Sequence, residues 1–144
     1  MRSHMVLTAF FCITLLLGAV GVRADEPSVL DVTVSANEDG TYSFNVTVAH
    51  RDEGWKHYAD KWEIVTPEGK VIGERILFHP HVDEQPFTRS LSRVVVPIGV
   101  SEVTVRAYCN VTGVGSRTFS LRLPPRKGGR GHCRHSAPDE KDPS

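Results

Sequence analysis

From Val29 to Leu123 apolar and polar residues alternate in short runs, broken by turn residues. A period of two sends every second side chain to one face, the pattern of a half-buried strand. Seven strands follow. The first is Val29–Ser35, with Leu30, Val32 and Val34 on one face, and it ends in the turn Asn37-Glu38-Asp39-Gly40. The second, Thr41–Ala49, turns Tyr42, Phe44, Val46 and Val48 inward. Ala59–Thr66 carries Trp62 and Ile64, and Lys70–Phe78, Phe87–Val96, Glu102–Cys109 and Ser116–Leu123 complete the set. No long segment has a helical period. This predicts an all-β fold, a seven-stranded antiparallel sandwich of immunoglobulin or fibronectin type, with a small barrel as the alternative. Phe44, Trp62, Leu91, Val105 and Leu121 supply core, while Asp60 and Glu63 are expected to face solvent.

The two ends of the chain read differently. Arg2 is followed by a nearly continuous apolar run from Met5 to Val22 and by the small-residue site Val22-Arg23-Ala24. That is the order of a secretory signal peptide, so residues 1–24 are expected to be removed. Residues 25–124 form the sandwich. After Pro124-Pro125 there is no apolar residue larger than Ala137 apart from Cys133. Residues 125–144 therefore cannot build a core and are expected to form a disordered tail.

Charge changes the picture little. The 144 residues carry 17 basic and 17 acidic side chains. Removing Arg2 and Arg23 leaves 17 − 2 = 15 basic residues and a mildly acidic exported protein, periplasmic or secreted. Nothing here calls for nucleic acid, or for a membrane after signal cleavage. The same step removes Cys12 and leaves two cysteines, Cys109 and Cys133.

Strand order then gathers the candidate chemistry. If successive strands are antiparallel, the loops His50–Tyr58, His79–Pro86 and Cys109–Gly115 share one pole. Pro67–Gly69 and Pro97–Ser101 share the other and hold no His or Cys. His50, His57, His79, His81 and Cys109 are thus candidate metal ligands. Imidazole and thiolate suit iron, copper or zinc. Glu84 is a candidate partner for an imidazole N–H, although acid pairs such as Asp52-Glu53 and Asp83-Glu84 more often lie solvated in loops.

Two stretches carry a family resemblance. His50-Arg51-Asp52-Glu53-Gly54-Trp55-Lys56-His57-Tyr58-Ala59-Asp60-Lys61-Trp62-Glu63-Ile64 looks like a lengthened form of the superoxide reductase motif His-Pro-x4-His-Tyr/His-Ile-x-Trp-Ile-Glu. Tyr108-Cys109-Asn110-Val111-Thr112-Gly113 is similar to that family's Tyr-Cys-Asn-Leu-His-Gly. The resemblance covers roughly His50 to Leu123. It implies an immunoglobulin-like fold, an iron ion held by histidines and a cysteine, and oxidoreductase chemistry that reduces superoxide to peroxide by one electron, supplied by a redox partner. The chain departs from the pattern at Thr112, which replaces the last histidine, and in the wider His50–His57 spacing. The family's N-terminal histidine has no counterpart, and His79 and His81 are the candidates to replace the missing imidazoles.

Two other readings stand beside it. One is a non-catalytic copper or zinc carrier that uses the same residues. The other is a metal-free exported interaction module, favoured if Cys109 is disulfide-bonded to Cys133.

Overall fold

A computed structural model of the chain describes residues 25–128. The segment expected to be a signal peptide, and residues 129–144 of the tail, lie outside the described residues. The fold is all-β. Its strands are β1 (Ser28–Ala36), β2 (Tyr42–Ala49), β3 (Ala59–Val65), β4 (Val71–Ile76), β5 (Phe87–Val94), β6 (Glu102–Cys109), β7 (Gly113–Val114) and β8 (Phe119–Arg122). They form two antiparallel sheets. One has the order β1-β2-β5; the other has the order β4-β3-β6-β7, with β8 also paired to β6. All seven expected strands are present, and the two-residue β7 is the eighth.

The alternating residues of the two sheets meet in one core. Phe44, Val46 and Val48 come from β2, Trp62 and Ile64 from β3, and Val103 and Val105 from β6, all buried. Burying a side chain of this size contributes about 1.5–3 kcal/mol, so Trp62 anchors β3 as its position in the pattern suggested. Leu91 and Leu121 pack at the margin of this core.

Two expectations need correction. In β1 the register shifts between Val29 and Asp31, so Val29 is buried and Leu30 only half-buried. A bulge adds one residue and moves the inward face along the strand. Glu63 is buried rather than solvent-facing. It accepts hydrogen bonds from Lys61 Nζ (2.7 Å), from Arg106 Nε and Nη2, and from Tyr108 Oη, and these long neighbours cover it. Burial alone would raise its carboxyl, but those bonds win and hold it below the ordinary range.

The far pole secures the chain's exit. Arg126 donates to the carbonyls of Gly40 and Val96, and Lys127 pairs with Glu38 at 3.3 Å. The first tail residues are therefore bound to the sandwich.

Candidate metal centre

The three loops do converge. Tyr58 N donates to Asn110 Oδ1, His50 N to Gln85 Oε1 and His81 N to Asp52 Oδ2. Within the first loop a tight turn brings His57 back beside His50. Glu53 N donates to His57 O and His57 N to Gly54 O, with Gly54 at φ 120°, a conformation that favours glycine. The two imidazoles then stand edge to face with centroids 4.9 Å apart.

Cys109 ends β6 and faces them. One ligand atom each from His50, His57 and Cys109 lies within 4.8 Å of the others. Cys109 is 3% exposed, forms no disulfide among the described residues, and its sulfur accepts the Val111 N–H at 3.4 Å.

Carboxylates orient both rings. His50 Nδ1 lies 2.6 Å from Asp52 Oδ1. A carboxylate can only accept, so this nitrogen carries the hydrogen, while Nε2 faces a second acceptor, the Asp25 carbonyl oxygen. His57 repeats the arrangement, with Nδ1 3.2 Å from Glu53 Oε2. Asp52 is fully buried in its side chain and also accepts from Ala59 N and His81 N. The expectation of a solvated Asp52-Glu53 pair is thus corrected for Asp52. Each bond to a buried backbone N–H satisfies a donor that would otherwise be costly to bury. The signal was local: an acid two residues after His50 and another four before His57.

Asp25 closes the front. Its carbonyl oxygen lies 3.1 Å from His50 Nε2 and accepts from Thr112 Oγ1, and its carboxylate lies 3.3 Å from His57 Nε2. Nothing in the alternation of polar and apolar residues marks Asp25. A cleft of about 490 Å3 opens beside His50 and Asp52, with Arg51, Glu26 and Gln85 in its lining.

His79 and His81 stand outside the three-residue cluster. His79 is exposed and its ring lies against that of His81, with centroids 4.6 Å apart. His81 is buried and stacks on Phe87 at 3.9 Å. Among the described residues neither of its ring nitrogens has a hydrogen-bond partner, and Asp52 Oδ2 lies 3.9 Å from Nδ1. Burial holds its pKa below the ordinary value, helped by the positive charges of Arg89 and His79. Glu84, weighed as a partner for an imidazole, instead pairs with Arg89 through both carboxylate oxygens.

The chain resembles several known proteins, each to a limited degree. No family model matches it. A protein of Halomicrobium mukohataei named "Putative lipoprotein" is 38% identical over 94 residues. That match takes in 65% of this chain, which spans 46% of the relative's length. Two solved structures align over 69% of the chain. A superoxide reductase from Giardia intestinalis is 19% identical, with TM-score 0.46 and all of that chain covered. A superoxide reductase (neelaredoxin) from Archaeoglobus fulgidus, in the reduced form, is 16% identical, with TM-score 0.42 and 88% of that chain covered.

Cys133, the other cysteine expected in the processed chain, lies outside the described residues.

Proposed function

We propose that this is an exported redox protein whose metal ion is held by His50, His57 and Cys109. The observation that carries the reading is the pair of imidazoles with both Nδ1 atoms fixed by carboxylates, beside a buried thiol. An acid behind each histidine is the arrangement that sets the tautomer and strengthens a metal-binding nitrogen. The donors fit a thiophilic transition metal rather than calcium or magnesium. Export is supported by the signal-like N-terminus and by the name of the Halomicrobium relative.

Iron is the first assignment, on the motifs around His50–Ile64 and Tyr108–Gly113. Bound iron would supply one-electron reduction of superoxide to peroxide. The chain's own part would be to hold the ion through its thiolate and imidazoles, and to admit a small anion along the cleft beside Arg51. The full family set of four histidines and one cysteine is not assembled in the described cluster.

Copper is the second assignment, and the donor count favours it. Two histidines, one cysteine and a nearby carbonyl oxygen, that of Asp25, are donor types that copper electron-transfer sites use. The test is metal analysis of purified Asp25–Ser144, with the visible spectrum of the iron- and copper-loaded forms and of Cys109→Ser. Both assignments predict a thiolate-to-metal absorption that the variant loses. Superoxide consumption by the iron form selects the first assignment; a stable copper complex without that activity selects the second. A reduced protein that binds neither metal refutes both.

A further inference from the structure

We propose that export processing completes this metal centre: hydrolysis of the Ala24–Asp25 peptide bond creates an α-amine on Asp25 that joins His50, His57 and Cys109 as a metal donor. The inference rests on the metal-binding reading above and on the cleavage position expected from Val22-Arg23-Ala24.

The placement of Asp25 is the starting point. Its carbonyl oxygen stands 3.1 Å from His50 Nε2 and its carboxylate oxygen 3.3 Å from His57 Nε2. Ligand atoms bonded at about 2.0–2.2 Å to a common ion, at right angles, stand roughly 3 Å apart. These separations suit neighbouring donors on one ion, as they suit the hydrogen bond and ion pair that the two contacts form without it. The amine nitrogen of the same residue is three bonds from that carbonyl oxygen, so it cannot lie more than about 3.6 Å from it. An amine and the carbonyl of its own residue close a five-membered chelate ring on a metal, a favourable unit for copper.

The segment behind it is held. Pro27 is fully buried, and its carbonyl sits so close to Gly115 that a Cβ there would come within 1.8 Å of it. Glu26 Oε2 accepts Ser116 N–H at 3.2 Å, and Val29 N donates to Arg117 O. Thr112 Oγ1 donates to Asp25 O. These four contacts hold Asp25 to Val29 against the sandwich, and Asp25 O against Thr112.

The chemistry balances simply. Water adds its OH to the Ala24 carbonyl carbon and its hydrogen to the nitrogen of Asp25, through a signal peptidase. The new carboxylic acid passes its proton to the amine, and the resulting ammonium releases that proton to solvent as the nitrogen lone pair goes to the metal. An uncleaved chain has only an amide nitrogen there, which is a far poorer donor. The precursor would thus be unable to take metal with full affinity before export.

The experiment compares three proteins with Cu(II) and then with Fe(II): Asp25–Ser144 with a free amine, the same chain preceded by Gly-Ser, and Asp25→Ala with a free amine. Affinities come from competition with a chelator, and nitrogen ligands are counted from the hyperfine structure of the copper spectrum. The expected result is that the Gly-Ser form binds at least on the order of tenfold more weakly than the first, with one fewer nitrogen donor, and that Asp25→Ala keeps that nitrogen. Equal affinity and equal nitrogen count in the first two would overturn the amine and leave the three-residue site standing. A loss in Asp25→Ala as large as in the Gly-Ser form, with the nitrogen count unchanged, would assign the role to the carboxylate and also overturn it. Failure of all three to bind metal would overturn the underlying site as well. Mass spectrometry of the exported protein with a mature terminus elsewhere than Asp25 would refute the processing step.

Discussion

The two histidine pairs at one pole of the sandwich have the same composition and opposite surroundings. His50 and His57 each have Nδ1 against a carboxylate and Nε2 turned toward Asp25, with Cys109 beside them. His81 is buried on the face of Phe87 with no hydrogen bond at either nitrogen among the described residues and the Asp52 carboxylate 3.9 Å from Nδ1, and His79 is exposed beside it. The difference teaches that a histidine in the right loop is only a candidate. What separates the pairs is a carboxylate within hydrogen-bond distance of each ring of the first, the kind of partner that would orient a metal-binding imidazole.

The largest expected effect is on metal binding. Cys109→Ser or His50→Ala should lower affinity by more than the roughly 10–100-fold that an outer partner is worth, measured by chelator competition. His79→Ala losing as much would erase the contrast between the pairs. Asp52→Ala comes next. It strands the hydrogens of His50 Nδ1, Ala59 N and His81 N in a buried setting. The metal-free protein should lose about 3–5 kcal/mol in urea unfolding. A loss below about 1 kcal/mol, the net worth of a single ordinary hydrogen bond, would show that Asp52 does not organise the pole.

Glu53→Gln should act at the low end of the outer-partner range, about tenfold in affinity, because Glu53 is more than half exposed. It should leave stability nearly unchanged.

Acid sensitivity separates the pairs in another way. The pKa of folded His81 lies below its ordinary value of 6.5, so the unfolded chain takes the proton first. The contribution is complete above 6.5 and is lost as pH falls through that value. Urea titrations of the metal-free protein should therefore show stability falling below pH 6.5, and His81→Leu should flatten that slope. An unchanged slope would mean that His81 is not the responsible group. The smallest effect is expected for His79→Ala, with metal affinity and stability both within error of the parent.

Much of the fold was legible along the chain. The alternation in Tyr42–Val48 and in Val103–Ala107 maps directly onto buried and outward positions. Where it failed, the cause was local or long-range. The bulge between Val29 and Asp31 leaves no mark in a period-two pattern. Glu63 is buried by Arg106 and Tyr108, more than forty positions away in sequence.

The site was half legible. Antiparallel order was enough to bring His50, His57, His79, His81 and Cys109 to one pole, because strand direction alternates whatever the side chains do. It could not separate the pairs, since distance between loop side chains depends on turns such as Gly54–His57 and on register between sheets.

Periodicity and strand alternation are local properties of the chain, and they were enough for the all-β class, most of the core and the pole at which the polar chemistry collects, though not for Leu30 or Glu63. Only the tertiary structure decided that His50, His57 and Cys109 meet, that Asp52 is buried behind them, and that Asp25 stands in front. Such contacts join residues as distant as Asp25 and Thr112, 87 positions apart, and packing between the sheets, not local propensity, sets those distances.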